Sequence, residues 1–401
     1  MKDTIQKVKQ LSDALFDEIQ SIRHHLHEHP ELSFQEYETA DYLISMLKKW
    51  GIEIDQRWVK TGFTVILEGK YEGATIGLRA DLDALPIQEQ NQVPYASRTE
   101  NKMHACGHDV HAACLMGAIK ILHELKDSWA GKLVFIFQAG EEKLPGGASL
   151  MIEEGLLDKY QPERVIAQHV YPEYEVGLVG FKSGMYMASA DEIYLTVKGK
   201  GGHAALPHRN IDPIVIAANI VVELQQLSSR IAPPTIPTVL SFGKIQGEGA
   251  TNVIPDTVTL EGTLRTMDEE CRSLYHQKIQ QIAQKIAEAH GGECDVNIIK
   301  GYPFLVNDTI ATACSKAAAE IYLGSQNVKE LDLRMTAEDF AYFSQRSKVC
   351  FYRLGVGNKE KEIVHSVHHP KFNIDESALK HGMGLMAFIA LCNLEEINQS
   401  Q

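Results

Sequence analysis

Residues 132–142 read KLVFIFQAGEE. The apolar run from Leu133 to Phe137, bounded by Lys132 and Gln138, reads as a buried strand that ends on two carboxylates, Glu141 and Glu142, ahead of the Gly-rich LPGG. The same pattern recurs on both sides of it. Residues 64–68, 75–79 and 164–168 are short apolar runs, each feeding a polar or Gly-rich segment and often then a helix. Upstream, apolar residues at helical spacing (Leu11, Leu15, Ile19, Ile22, Leu26) predict a helix over 5–26, and a second over 36–50 follows Pro30. Downstream, a helix over 310–322, a strand over 349–354 and a terminal helix over 376–394, with Asp375 placed to cap it, restore the same style. The alternation predicts an α/β domain, a mixed sheet flanked by helices.

Between 188 and 301 the order of elements changes. A strand at 192–197, a helix at 214–227, strands at 238–245 and 257–265, a helix at 269–289 and a strand at 294–299 give β-α-β-β-α-β, the ferredoxin-like arrangement. The expected organisation is a catalytic domain in two pieces, 1–187 and 302–401, interrupted by a small lid or dimerisation domain over 188–301. No internal repeat or low-complexity segment interrupts it.

A chain of 401 residues with 44% hydrophobic and 23% charged residues can bury a sizeable core, which excludes a disordered or fibrous protein. Its formal net charge of −14 argues against nucleic acid and anionic membrane surfaces as partners. The densest apolar stretches, 133–137 and 214–222, fall short of the roughly 18 residues that cross a bilayer, and the opening MKDTIQKVKQ alternates charge with apolar residues, unlike a signal peptide. A cytoplasmic location is expected. The seven cysteines are odd in number and widely spread, so a special one is better read as a ligand or nucleophile than as half of a disulfide.

The polar residues of interest share one position, following the carboxyl end of an apolar strand, where open α/β sheets place their ligand crevices. Asp81 and Asp83 follow TIGLRA, Glu141 and Glu142 follow KLVFIFQ, and His169 follows RVIAQ. In MHACGHDVH, residues 103–111, an extended backbone would put His104, Cys106 and His108 on one face. Thiolate, imidazole and carboxylate are the ligand types of zinc, cobalt and manganese, so Cys106, His108 and Glu142 are candidates to hold a metal. The competing reading is a helix start with polar caps and one buried cysteine. Neighbouring carboxylates point different ways on a regular backbone, which suits Glu141 and Glu142 to the separate roles of base and ligand.

RADLDALP, MHACGHDVH, GEE, KGKGGHAALPH, ATNVIPDTVTLEGTLRT, AEDF and HHPKF occur in one order along nearly the whole chain. In that order they resemble the M20 metallopeptidase family in its amidohydrolase branch, with hippurate hydrolase-like, indole-acetyl-amino-acid hydrolase-like and N-acyl-amino-acid deacetylase proteins. The resemblance implies that Cys106, His108, Glu142, His169 and His368 ligate two divalent ions, zinc, manganese or cobalt. It implies Glu141 as the general base and His203 as donor to the oxyanion, commonly from the partner subunit of a dimer. RADLD carries Asp81 where most of the wider family has a ligand His, so that ligand is expected at Cys106, leaving Asp83 to orient a ligand His. Asn252 is a candidate for gripping the substrate carboxylate. Arg265 is either a second anion partner or a solvent-facing strand residue.

These readings converge on a metal-dependent amidohydrolase acting on N-acyl amino acids or related small conjugates, expected to be a homodimer through the inserted domain. Two alternatives stand beside it: a cysteine-nucleophile hydrolase using Cys106 with His108 as base, and a non-catalytic binding module of the same fold.

Overall fold

The computed structural model describes residues 2–400. The chain divides into two units, one formed by the residues up to 184 with 306–332 and everything from 342 on, the other by 185–305 with 333–341. The short segment 333–341, which sequence alone groups with the second catalytic piece, therefore belongs with the smaller unit.

The larger unit is built on an eight-stranded sheet in the order Ile54–Trp58, Gly62–Glu68, Ala130–Gln138, Tyr71–Asp81, Arg164–Glu175, Lys348–Gly357, Val179–Phe181 and Val328–Glu330. Its four middle strands, from Ala130–Gln138 to Lys348–Gly357, are mutually parallel. Antiparallel pairings outside them make the sheet mixed. Leu133 to Phe137 are completely buried, as expected of a strand covered on both faces. Helix His108–Glu124 packs on strand Tyr71–Asp81 and against helices Phe16–Glu28 and Ala378–Ser400, so it is buried nearly all round. The periodic run over 5–26 is two helices, Lys2–Ala14 and Phe16–Glu28, meeting at Leu15. Leu15 stays near helical (φ −88°, ψ −7°), which carries the apolar stripe through the joint.

One feature of this sheet positions the chemistry. Pairing between strands Tyr71–Asp81 and Arg164–Glu175 ends at Arg79 opposite Ala167, although both strands continue. Beyond that level they part, and side chains enter the gap at the carboxyl edge of the sheet, where such folds bind ligands.

The smaller unit holds a four-stranded antiparallel sheet in the order Thr238–Gln246, Thr257–Thr266, Asp191–Lys198, Glu293–Lys300. Along Asp191–Lys198 every second residue is buried, Ile193, Leu195 and Val197 among them, which gives the sheet one dry face. Helices Pro213–Leu224 and Glu269–Ala289 cover it. Asp212 and Asp268 cap those helices, Asp212 accepting from Ile214 and Val215 N–H and Asp268 from Cys271 N–H.

The stretch Pro213–Ile231 corrects one sequence expectation, because at 19 residues and mean hydropathy 1.2 it is long and apolar enough to cross a bilayer. Ile216, Ala217, Ile220 and Leu224 from this stretch join the core of the smaller unit, and 28% of the stretch is buried.

Candidate metal centre

The local backbone explains how separate segments of the larger unit reach one rim. Gly107 takes φ +83° and turns the chain sharply into helix His108–Glu124. A Cβ there would stand 2.6 Å from a Val170 methyl, so only glycine lets this turn lie against strand Arg164–Glu175. His368, itself at φ +66°, donates its backbone N–H to Ala105 O at 2.8 Å, which fastens the 368 turn to the Cys106 segment.

The ligand-type atoms converge in overlapping groups: Cys106, His108 and His169; Cys106, Glu142 and His368; His108, Glu141 and Glu142. Within each group the atoms lie within 4.8 Å of one another. Cys106 Sγ is 3.5 Å from His169 Nε2, and Glu142 Oε1 is 3.9 Å from His108 Nε2 and 3.3 Å from His368 Nε2.

Hydrogen bonding sets the face each imidazole presents. His108 Nδ1–H donates to Asp83 Oδ1 at 3.2 Å, and His169 Nδ1–H donates to Val170 O at 2.8 Å. In both rings Nε2 is left facing the group, the nitrogen that would ligate a metal in place of a proton. His108 Nε2 and Glu142 Oε1 are buried without a hydrogen-bond partner. Buried orphan atoms are costly unless something else meets them. A soft thiolate, imidazoles and a carboxylate around such atoms fit divalent ions of the zinc type.

Asp83 organises the centre. Its Oδ1 accepts from Glu141 N–H at 3.0 Å as well as from His108, and its Oδ2 accepts from Glu142 N–H at 2.9 Å and Ser33 Oγ–H at 2.6 Å. One buried carboxylate thus orients a ring and aims two consecutive glutamates. Burial acts to raise its pKa, but the bonds from His108, Ser33 and Glu142 N–H outweigh burial and hold it below the usual carboxylate range. Burial would likewise keep His108 neutral, yet Asp81, Asp83 and Glu142 push it up to about 10. Burial and the carboxylates Glu142, Glu141 and Asp81 push the Cys106 thiol well up. The pocket is built to hold positive charge.

Two residues of this centre escaped the sequence reading. His111, one helical step beyond His108, occupies the gap between the parting strands, donating from Nδ1 to Asp81 Oδ1 at 2.6 Å and accepting Val170 N–H on Nε2 at 2.9 Å. The i, i+3 spacing of His108 and His111 was the available signal. Glu36 is the other, and no local pattern pointed to it. His104 is a correction: Cys106 sits in a bend and His108 already begins the helix, so the three side chains do not share an extended face. His104 is buried with neither nitrogen hydrogen-bonded and belongs to none of the ligand groups.

In the smaller unit His203 lies on the two-residue strand Gly202–His203, opposite Val253. Asn252 O accepts Ala204 N–H at 3.0 Å, so His203 and Asn252 are neighbours. Both are exposed, and His203 Nδ1 accepts Ala205 N–H at 3.1 Å. Arg265 is half-buried and is eight residues along its strand from Thr257, about 27 Å at strand rise, toward the end away from His203. Burial lowers its pKa, against the fields of Asp191 and Glu192.

The sequence pattern of peptidase family M20/M25/M40 matches residues 77–391. An N-acetyl-L-cysteine deacetylase of Bacillus subtilis is 41% identical over 89% of this chain and 84% of its own length. An N-acyl-L-amino acid amidohydrolase of Geobacillus stearothermophilus is 40% identical over 76% of this chain and 82% of its own. Among solved structures, a dinuclear metal-binding peptidase of the M20 family from Bacillus subtilis superposes with a TM-score of 0.81 at 33% identity, covering 96% of this chain and 99% of that one.

Proposed function

The chain belongs to peptidase family M20/M25/M40 and is a metal-dependent hydrolase of small amides, and from that premise we propose that it removes the acyl group from N-acyl amino acids. The observation that carries the reading is the pair of imidazoles, His108 and His169, whose Nδ1 atoms are tied back so that both Nε2 atoms meet Cys106 and Glu142 at one rim.

In this reading Cys106, His108, Glu142, His169 and His368 hold two divalent ions, zinc, manganese or cobalt. When bound, such ions polarise the amide carbonyl and make a water acidic enough to attack at neutral pH. Glu141 takes the proton from that water and returns it to the leaving amine, and its backbone N–H on Asp83 keeps it aimed. Asp83 keeps the His108 ring turned, and His111 with Asp81 braces the strand that carries His169. His203 hydrogen-bonds the developing oxyanion from a partner subunit, with its neighbour Asn252 gripping the substrate carboxylate; Arg265, at the far end of its strand, is not brought beside them. The exposure of His203 on a glycine-flanked turn supports that role.

A homodimer through the smaller unit is part of the proposal. One of its two edge strands, Thr238–Gln246, pairs on one side among the described residues and exposes Val239 and Ile245, an edge that a second copy can cover. The cysteines, all free in the structure, support the cytoplasm as location.

The test is chelation followed by reconstitution with zinc, manganese or cobalt, assayed on N-acetyl, N-benzoyl and dipeptide substrates. Activity is expected to vanish with the metal and return with it on the N-acyl amino acids. Activity that survives chelation and dies on thiol alkylation would replace this reading with the cysteine-nucleophile one.

A further inference from the structure

Gly140, Glu141 and Glu142 present three consecutive backbone N–H groups, and two buried carboxylates take them all. Asp83 accepts those of Glu141 and Glu142. The N–H of Gly140 goes to Glu36, whose Oε1 accepts it at 2.7 Å and also accepts Phe34 N–H at 2.9 Å. Glu36 Oε2 accepts Thr61 Oγ–H at 2.7 Å, so both oxygens of this fully buried side chain are engaged.

The next peptide unit, Gly140–Glu141, is held at its carbonyl. Gly140 O accepts Gly147 N–H at 2.9 Å, and a Cβ on Gly140, at φ +58°, would stand 2.4 Å from the Phe34 ring. Gly140 therefore cannot shift without breaking contacts on every side. The residue after it is Glu141, whose side-chain direction follows from the Gly140–Glu141 peptide plane.

We infer that Glu36 is a positioning residue for the reaction, its carboxyl fixing the Ala139–Gly140 peptide on which the next one, Gly140–Glu141, is built, so that Glu141 is aimed at the attacking water. The inference rests on the base role proposed for Glu141. Glu36 acts by reach rather than by charge, since an uncharged oxygen at the same place accepts the same two N–H groups. Burial and the nearby Asp83 carboxylate raise its pKa to about 7, against the bonds from Thr61 and the backbone, which fits a site that places no premium on the charge.

Two conservative variants separate reach from charge. Glu36→Gln keeps the length, accepts from Phe34 and Gly140 through its amide oxygen and donates to Thr61 Oγ. Glu36→Asp keeps the charge and falls a methylene short. Expected results are wild-type kcat for the Gln variant and a loss of about 100-fold for the Asp variant, with KM and bound metal unchanged. The opposite ranking would overturn the proposal, as would a loss of metal in step with activity. Should the Asp variant not fold, Thr61→Val releases one Glu36 oxygen, and wild-type kcat there overturns the proposal while a partial loss supports it.

The link to Glu141 has its own readout. Placed on a Glu141→Gln background, Glu36→Asp is expected to cost nothing further, because the group it aims is already disabled. A full additional loss would show that Glu36 acts elsewhere. Wild-type turnover by Glu141→Gln alone would instead strike the base assignment, a failure distinct from failure of the reach argument.

Discussion

The rim of the larger unit and the Gly-rich turn of the smaller one hold their polar residues in opposite ways. At the rim, Asp83, His108, Cys106 and His169 are buried, and each imidazole is turned by a bond to its Nδ1. At the turn, His203 and Asn252 are exposed, His203 on a two-residue strand set among glycines and Asn252 just before the strand that pairs with it. The buried polar network of the smaller unit lies elsewhere, where Arg272 meets Asp191 and both bond the backbone of Gly301. The difference teaches that one region is organised in advance to hold cations, whereas the other offers an imidazole whose use depends on what approaches it. Under the proposed function, preorganisation of this kind would put the larger share of catalysis on the rim.

The comparison is tested hardest at Glu141. Glu141→Gln keeps the shape and the N–H bonds that aim it but removes the proton acceptor, so kcat should fall by about 10² to 10⁴ with bound metal unchanged. Metal analysis and kinetics on one preparation decide it, and normal turnover would leave the rim with ligands and no base.

His203 should give the next largest effect. Loss of an oxyanion donor costs about 10² to 10³ in kcat, and His203→Ala should show it with little change in thermal stability, because the ring is exposed and its bond from Ala205 N–H lies within the same exposed turn. A mixture of His203→Ala and Glu141→Gln proteins should regain part of the activity once subunits exchange, since one hybrid site then holds both intact residues. Absence of recovery after verified exchange would confine His203 to its own chain or remove it from the reaction.

The smallest effect concerns acid stability of the smaller unit. Burial would raise the pKa of Asp191, but His276 and Arg272 outweigh it and hold it at about 2, below the unfolded value of about 4. A carboxylate depressed on folding contributes stability that is present above the unfolded pKa and is lost as pH falls through the folded one. Melting temperature should therefore drop between pH 4 and pH 2, and Asp191→Asn should lower it at neutral pH while flattening that slope. An unchanged slope would show that this network does not hold the unit together.

How much of this was legible in advance varied with the range of the interactions. KLVFIFQAGEE announced a buried strand with acids at its end, because a run of apolar residues and a sudden change to carboxylates are local properties of the chain. MHACGHDVH advertised ligand chemistry but misplaced His104, since the left-handed turn at Gly107 breaks the extended face that alternation implied. Glu36 could not have been found, because its meaning lies in Gly140, 104 residues away, and in Thr61.

The sequence by itself determined the alternation of strands and helices, the β-α-β-β-α-β order of the inserted segment and the inventory of residues able to bind metal. These depend on periodicity and side-chain chemistry, which neighbouring residues carry with them. Only the tertiary structure decided which nitrogen of His108 and His169 faces the group, that His111 fills the gap between two parting strands, and that two carboxylates share the N–H groups of residues 140–142. Tautomer, ring direction and backbone hold are set by partners that burial brings together from distant parts of the chain, and a buried donor or acceptor must be met by whatever the fold places beside it.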